Sequence, residues 1–170
     1  MWRFAEPPLH EKQMTRPFPA RPPRLKEVFP NFNPPLYFVT FCTWHRARIL
    51  ASEAVHAAFI DYAKQNLLRG IHTGRYVLMP DHVHLFVSLP VSLRLEHYVR
   101  LLKQYLNRTL RLDSEPSRLW QPGFFDHLIR AHESYQEKWE YVLQNPVRAG
   151  LVERTQDWPY QGEIERIDVM

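Results

Sequence analysis

The sequence has little cysteine, no long apolar run and no internal repeat, and these absences exclude several classes of protein. Its one cysteine, Cys42, cannot form an internal disulfide, which favours a reducing compartment over a disulfide-stapled secreted fold. No apolar stretch approaches the roughly 20 residues of a membrane span. The first residues also lack the apolar segment of a secretory signal. We therefore expect a soluble, cytoplasmic protein in which Cys42 is a buried structural thiol.

The composition is typical of a globular protein with a net positive charge. Its 170 residues suit one domain, and 45% hydrophobic and 14% aromatic residues are enough to build a core. The formal net charge is +4. A positive balance of this kind is compatible with a polyanionic partner such as nucleic acid.

Proline is concentrated at the start of the chain. Nine of the fifteen prolines fall within the first 35 residues, together with six basic and three acidic side chains. Such a segment is predicted to be extended or disordered, and it either follows a phosphate backbone or is a solvated tail without a role. The predicted boundaries are 1–35 for this Pro-rich basic segment, 36–162 for one folded domain and 163–170 for a short C-terminal tail.

The hydrophobic pattern of the domain predicts the order β-α-β-β-α-β. Ser52 and Gly70 supply the cap and the stop of the first helix, and Pro80-Asp81 supplies the turn of a hairpin. The expected strands are 36–43, 71–79, 82–89 and 124–130, and the expected helices are 52–68 and 93–112. This order indicates an α+β fold, a ferredoxin-like antiparallel sheet, with an added C-terminal helix from about 133 to 145.

Two histidines separated by one apolar residue are the most informative feature. Because side chains alternate along a strand, His82 and His84 share one face with Phe86, while Val83 points to the opposite, core-facing side. Two neutral imidazoles on one face can chelate a divalent metal ion. An isolated His-x-His pair is more commonly structural, so the interpretation needs a third ligand and a reacting group.

The last predicted helix contains a candidate third metal ligand and a candidate reacting group. Tyr141 and Asn145 are four residues apart and share one helical face, and Pro146 ends the helix. The amide oxygen of Asn145 can complete a metal site, with the Tyr141 phenol one turn away. Tyr135 is the rival nucleophile, but six residues at about 100° each rotate it off that face. The structural alternatives are a packed amphipathic tyrosine and a polar helix terminus.

Candidate DNA contacts come from a basic stripe and an aromatic loop. The second predicted helix has basic residues at helical spacing, namely Arg100, Lys103 and Arg111. Such a stripe suits phosphate, although it is commonly only a solvated helix face. Three rings lie in the following Pro-Gly loop: Trp120, Phe124 and Phe125. Unpaired bases could stack on exposed rings, while core burial of at least two of them is the safer expectation.

This combination resembles the REP-associated tyrosine transposases, a branch of the HUH single-tyrosine transposases. The similar segments span roughly residues 36 to 162. They are Leu78-Met-Pro-Asp-His-Val-His-Leu85, Trp120-Gln-Pro-Gly-Phe-Phe-Asp-His-Leu-Ile-Arg130, Asn145-Pro-Val-Arg-Ala-Gly-Leu-Val152 and Asp157-Trp-Pro-Tyr160. His127 and Arg130 lie in one of these segments and are candidate DNA contacts without an assigned role.

The resemblance implies the ferredoxin-like sheet and a particular chemistry. His82, His84 and Asn145 would hold a divalent metal, and Tyr141 would attack a phosphodiester of single-stranded DNA. The products would be a 5′-phosphotyrosine link and a free 3′-hydroxyl, so that strands are cut and rejoined by transesterification. The implied substrate is a hairpin formed by repetitive extragenic palindromes, called REP sequences.

The donor set and the partners complete the expectations. Two imidazoles and one amide admit Mg²⁺ or Mn²⁺. A monomer is expected rather than a dimer, in the cytoplasm and associated with the nucleoid, without a protein partner. Two other functions stay open: a non-cleaving regulator that binds DNA hairpins, and a metal-dependent phosphodiester hydrolase that activates water.

Overall fold

A five-stranded antiparallel sheet with helices on both faces forms the described part of the chain, which comprises residues 34–110, 119–130 and 132–167 of a computed structural model. The strands are β1 (Leu36–Cys42), β2 (His72–Leu78), β3 (His82–Ser88), β4 (Phe125–Ile129) and β5 (Gln161–Glu163). The helices are α1 (Glu53–Leu67), α2 (Leu95–Leu110), α3 (His132–Leu143) and the short α4 (Asn145–Arg148). Across the sheet the strands follow the order β4-β1-β3-β2-β5.

The predicted β-α-β-β-α-β order is confirmed for the elements up to β4. β1 lies between β4 and β3, and β2 pairs with the other side of β3, all antiparallel. The fifth strand, β5, was not predicted from the sequence; it pairs with β2 from Arg75↔Glu163 to Val77↔Gln161. Three residues are too few to show the alternation that identifies a strand.

Local sequence signals fall where they were predicted. The Ser52 hydroxyl accepts a hydrogen bond from the Val55 backbone nitrogen at 3.3 Å and caps α1. Beyond the end of α1, Gly70 has a φ of +71°, a conformation that glycine adopts at little cost. Between β2 and β3, the Met79 nitrogen donates to the His82 carbonyl at 2.8 Å and closes the predicted hairpin turn.

The two faces of the sheet are covered by different helices. Val83, Leu85 and Val87 are buried in a core formed with α1 and α2. On the other face, Phe86 is buried in a second cluster that includes Tyr135 and Val142 of α3. The added helix with the candidate tyrosine therefore covers the same sheet face as the histidines of β3.

The chain after β5 stays on the edge of the sheet. The Ile164 nitrogen donates to the Gly74 carbonyl at 3.2 Å, and Glu165 lies 2.5 Å from the His72 imidazole. Gly74 leaves room for the Ile167 side chain, because a Cβ atom at this position would lie 2.9 Å from Ile167 Cδ1 and would make that side chain shift. Residues 163–167, predicted as part of a tail, thus extend the contacts of β5 along β2.

Two predictions lie outside the described residues: the extended state of the Pro-rich segment, for residues 1–33, and the placement of Arg111. Cys42 is buried as expected, and its burial raises the pKa of the thiol. Within the described ranges, no helix combines the length and apolarity needed to cross a membrane.

Candidate metal and nucleic-acid site

His82 and His84 lie side by side on the sheet face that α3 covers. Their ring centroids are 4.7 Å apart, and the rings are nearly perpendicular at 87°. His84 is buried and His82 is half-buried. The alternation of strand side chains therefore brings the two imidazoles together as predicted.

Both ring nitrogens of His84 have defined partners. Nδ1 lies 2.7 Å from Thr40 Oγ1, and Nε2 lies 2.9 Å from Asn145 Nδ2. Arg148 donates to Asn145 Oδ1. Because a guanidinium cannot accept, the amide oxygen faces Arg148 and the amide nitrogen donates to His84. His84 Nε2 is therefore the acceptor nitrogen, and Nδ1 donates its proton to Thr40.

A carboxylate fixes the other imidazole. His82 Nδ1 lies 2.6 Å from Asp81 Oδ1, so Nδ1 donates its proton and the ring lone pair is on Nε2. Arg46 Nε donates to the second Asp81 oxygen at 2.7 Å. Burial opposes ionisation of Asp81, but the hydrogen bond and electrostatic attraction of His82, together with those of Arg46, outweigh it and lower the pKa of Asp81. The Arg46 Nη2 atom is 3.4 Å from His82 Nδ1, a longer contact than the carboxylate bond.

The segment after β1 brings Arg46 to this position. The Thr43 nitrogen and hydroxyl both donate to the Asp81 carbonyl, at 2.9 and 3.0 Å. His45 and Arg46 have φ values of +49° and +57°, in the left-handed region that is unfavourable for residues other than glycine. Strained backbone of this kind is concentrated at functional sites. Arg46 was not predicted as a site residue, because no periodic pattern in the sequence marks it.

A break separates Tyr141 from Asn145. The predicted helix was to run on to Asn145, but α3 ends at Leu143 and α4 begins at Asn145 with Pro146 in its first turn. Proline is tolerated there because the first turn of a helix needs no backbone N–H donor. Tyr141 therefore lies in the last turn of α3, and Asn145 reaches His84 from the start of the next element.

The two candidate tyrosines of α3 have opposite environments. Tyr141 is 46% exposed, whereas Tyr135 is only 3% exposed. Tyr135 packs edge-on against Phe86 with ring centroids 4.6 Å apart, and its burial raises the pKa of its phenol. A DNA strand can approach Tyr141 directly, whereas access to Tyr135 would require α3 to move.

Arg148 contacts both Tyr141 and Asn145. Its guanidinium carbon lies 4.1 Å from the centroid of the Tyr141 ring, and Nη2 donates to the Tyr141 carbonyl at 2.5 Å. The same nitrogen donates to Asn145 Oδ1. Arg148 was not predicted as a site residue, although its position three residues after Asn145 was an available signal.

The predicted basic stripe on α2 is only partly exposed. Arg100 is exposed, with Nη2 3.1 Å from His97 Nδ1. The Lys103 amine instead donates to the carbonyls of Gly123 at 2.8 Å and Gln121 at 3.2 Å. Burial lowers the pKa of Lys103 to about 8. Lys103 thus does not extend an exposed stripe, because the loop at 121–123 covers its amine.

The aromatic loop is buried at two of its three rings, as expected. Trp120 and Phe124 belong to the core, whereas Phe125 is 46% exposed. The Trp120 indole also donates to Asn107 Oδ1 at 2.6 Å. Neither buried ring offers an open face on which a base could stack, which leaves Phe125 as the exposed aromatic side chain of this loop.

β4 places two of its side chains on the histidine face. Directly paired residues of neighbouring strands share a face. Thr40 pairs with both His84 and Phe125, and Phe38 pairs with His127. Phe125 and His127 therefore lie in the rows of the sheet that contain the candidate metal ligand His84 and its ring neighbour Phe38.

Lys138 adds a positive charge to this face. Its amine lies 5.6 Å from the centroid of Phe38, and the Phe38 ring stacks on His84 at 5.6 Å. The pKa of His127 is lowered, first by burial and then by the charges of Lys138 and Arg130. Lys138 was not predicted as a site residue, although it lies three residues before Tyr141. Two cations beside an imidazole create a positive potential that suits a phosphate backbone.

Comparison with known proteins identifies the family. Residues 35–145 match the model of a family described as "Transposase IS200 like", which covers more than half of the chain. The chain belongs to this IS200-like transposase family. It shares 26% identity over 136 residues with a Haemophilus influenzae protein provisionally named a REP-associated tyrosine transposase, covering 74% of this chain and 77% of the relative.

Two further comparisons concern the same group of proteins. The REP-associated tyrosine transposase of Escherichia coli K12 is 29% identical over 93 residues, which are 54% of each chain. A solved structure of a REP-associated tyrosine transposase bound to a REP hairpin superposes with a TM-score of 0.63 at 25% identity, covering 76% of this chain and 77% of that one. The resemblance and the α+β fold are confirmed, and membership of this family indicates a transposase-like role in DNA processing.

The donor set of this IS200-like transposase is compatible with a divalent ion. The ring lone pairs of His82 and His84 are on Nε2, and imidazole nitrogen binds divalent transition metals, whereas an amide oxygen also suits Mn²⁺. Among the described residues, no three histidine, cysteine, aspartate or glutamate side chains form a metal-binding cluster. A third protein ligand near the two histidines would therefore be the Asn145 amide oxygen.

Proposed function

We propose that the protein is a metal-dependent transesterase of single-stranded DNA that cuts and rejoins strands at hairpin ends through a bond between Tyr141 and a 5′-phosphate. The observation that carries this proposal is the contact of Asn145 with His84, which are 61 residues apart, next to an exposed Tyr141. The related transposase whose structure contains a REP hairpin supports hairpin DNA as the substrate.

The proposed step transfers one phosphoryl ester bond. The Tyr141 oxygen attacks the phosphorus, the bond from phosphorus to the 3′ oxygen breaks, and the departing strand retains a 3′-hydroxyl. The phenol loses a proton, and the 3′ oxygen gains one. Because the phosphotyrosine is itself an ester, a 3′-hydroxyl can reverse the attack and join strands without a nucleotide cofactor.

The residues of the site have separate tasks. Asp81 and Thr40 orient the imidazoles so that Nε2 of each carries the lone pair. A divalent ion held by His82, His84 and Asn145 would neutralise charge on the phosphate during attack. Lys138 contributes positive potential beside the site, where the sugar-phosphate backbone would lie.

The decisive experiment detects a covalent adduct. Full-length protein is incubated with Mn²⁺ and a 5′- or 3′-labelled hairpin oligonucleotide, and the products are separated on a denaturing gel. We expect protein-linked label with the strand 3′ of the cut and a free 3′-hydroxyl on the other fragment. Cleavage without an adduct would identify a hydrolase, and tight binding without cleavage would identify a hairpin-binding regulator.

The proposal also covers the cellular location and the oligomeric state of the protein. We propose that it acts in the cytoplasm with the nucleoid, where a substrate among chromosomal repeats would lie. We propose that it acts as a monomer, because Asn145 can reach His84 of its own chain. Sedimentation of the protein with and without hairpin DNA tests this, and a dimeric mass for the active complex would contradict it.

A further inference from the structure

The Asn145 amide is turned so that its oxygen faces Arg148 and its nitrogen faces His84. We propose that Arg148 is a positioning residue that holds the amide in this orientation and releases its oxygen when a divalent ion binds. This inference rests on the proposed function, because it assumes that a metal is ligated on the histidine side of Asn145.

The geometry requires an exchange of partners. An amide nitrogen has no lone pair to give to a metal, so ligation needs the oxygen of Asn145 on the side of His84 Nε2. A half-turn of the amide group brings the oxygen there and the nitrogen to Arg148. Two donor groups then face each other, since neither the amide nitrogen nor the guanidinium accepts a hydrogen bond. The Arg148 guanidinium must therefore leave Asn145 when the oxygen turns towards a metal.

The other contacts of Arg148 allow it to leave Asn145 and stay near Tyr141. Its bond to the Tyr141 carbonyl and its position over the Tyr141 ring do not depend on Asn145. The side chain is exposed, so the released donors can turn to solvent or to a phosphate oxygen. Arg148 and the metal thus compete for a single oxygen atom, while the guanidinium stays beside the nucleophile.

A purely structural role makes a different prediction. If Arg148 only satisfies the last carbonyls of α3, its replacement changes stability and leaves metal affinity unaltered. If it competes with the metal, its replacement tightens metal binding, and this gain requires the Asn145 oxygen.

The test is a double-mutant cycle on Mn²⁺ affinity, measured with full-length protein by the loss of the free Mn²⁺ electron paramagnetic resonance signal. We expect Arg148→Met to tighten Mn²⁺ binding about tenfold, as for loss of a competing charged hydrogen bond. In the Asn145→Ala background, Arg148→Met should change the affinity less than twofold. Arg69→Met, an equal charge loss at an exposed position in the turn after α1, should have no effect.

Each outcome decides the matter. Wild-type or weaker Mn²⁺ affinity in Arg148→Met, with an unchanged circular dichroism spectrum, overturns the competition. Equal tightening in both Asn145 backgrounds also overturns it, because charge repulsion alone would then act. Arg148→Gln keeps a donor for the Tyr141 carbonyl and should show the same direction if the methionine variant misfolds. Mn²⁺ binding that survives His82→Ala rejects the metal site and both proposals, whereas loss in His82→Ala with no Arg148 effect rejects only this inference.

Discussion

Asp81 Oδ1 lies 2.6 Å from Nδ1 of His82, its neighbour in the chain. A carboxylate in this position fixes both the tautomer and the orientation of an imidazole ligand. Arg46 reaches the other oxygen of Asp81 from a strained backbone segment. The candidate metal site is therefore supported by an outer layer of contacts that begins one residue before its first ligand.

Replacing Asp81 should weaken the metal site without removing a ligand. We expect Asp81→Asn to lower Mn²⁺ affinity by about tenfold to 100-fold, the usual effect of losing an outer-layer carboxylate. Isothermal titration with Mn²⁺ measures it. Asp61→Asn is the control, because Asp61 also accepts side-chain hydrogen bonds but lies exposed on α1. Equal affinities for Asp81→Asn and the wild type would show that His82 needs no orienting carboxylate.

The nucleophile assignment is tested by two phenylalanine substitutions on the same helix. Tyr141→Phe removes one exposed oxygen and should abolish the covalent adduct, while hairpin binding and folding persist. Tyr135→Phe should retain adduct formation, because its ring packs against Phe86 away from solvent. The readout is the labelled adduct on a denaturing gel. An adduct that persists in Tyr141→Phe and vanishes in Tyr135→Phe would reverse the assignment.

Lys138 should contribute to hairpin binding through phosphate contact. We expect Lys138→Ala to lower affinity and to reduce the slope of log affinity against log salt by about one unit, without changing which hairpin is preferred. Fluorescence anisotropy over a salt series measures both quantities. Lys64→Ala, an equal change on an exposed position of α1, serves as the comparison. A salt slope identical to the wild type would remove Lys138 from the interface.

The covered amine of Lys103 should make stability depend on pH. Its folded-state pKa is lowered to about 8, whereas an unfolded lysine titrates near 10.4. Between these values the unfolded chain holds a proton that the folded chain has lost, so the free energy of unfolding rises with pH. The cost of burying the charged amine is fully present below about pH 8. We expect the wild type to gain stability relative to Lys103→Met between pH 7.5 and 9.5.

Urea unfolding of both proteins at the two pH values measures this difference. Lys64→Met provides the control, since Lys64 is exposed on α1. A constant difference in unfolding free energy between the wild type and Lys103→Met over this range would contradict the structure. It would show that the folded protein does not bury the Lys103 amine.

The parts of the site that follow local rules could be predicted from the sequence. Strand alternation is enough to place His82 and His84 on one face, and helical rotation is enough to separate Tyr135 from Tyr141. Arg46 could not be predicted in this way. It reaches Asp81 because His45 and Arg46 adopt left-handed backbone conformations, which no sequence pattern indicates. Its position depends on contacts between segments that are distant in sequence.

The same distinction explains the errors on α2 and at the sheet edge. Lys103 has the spacing of an exposed stripe, yet carbonyls of a loop about 20 residues later enclose its amine. Spacing reports the face of a helix but not what covers that face. β5 was missed because its pairing with β2 comes from tertiary context rather than from three residues of sequence.

The separation of His84 and Asn145 along the chain also bears on the order in which the parts of the site form during folding. The histidines lie in a hairpin whose strands are adjacent in sequence, whereas Asn145 joins them across 61 residues. Closing that long loop is slower and entropically more costly than forming the hairpin. A molecule whose last helices have detached would keep its imidazoles but present no tyrosine to them. Under the proposed function, partial unfolding would therefore leave the protein unable to cut, so the docking of the last helices would also protect DNA from stray nicks.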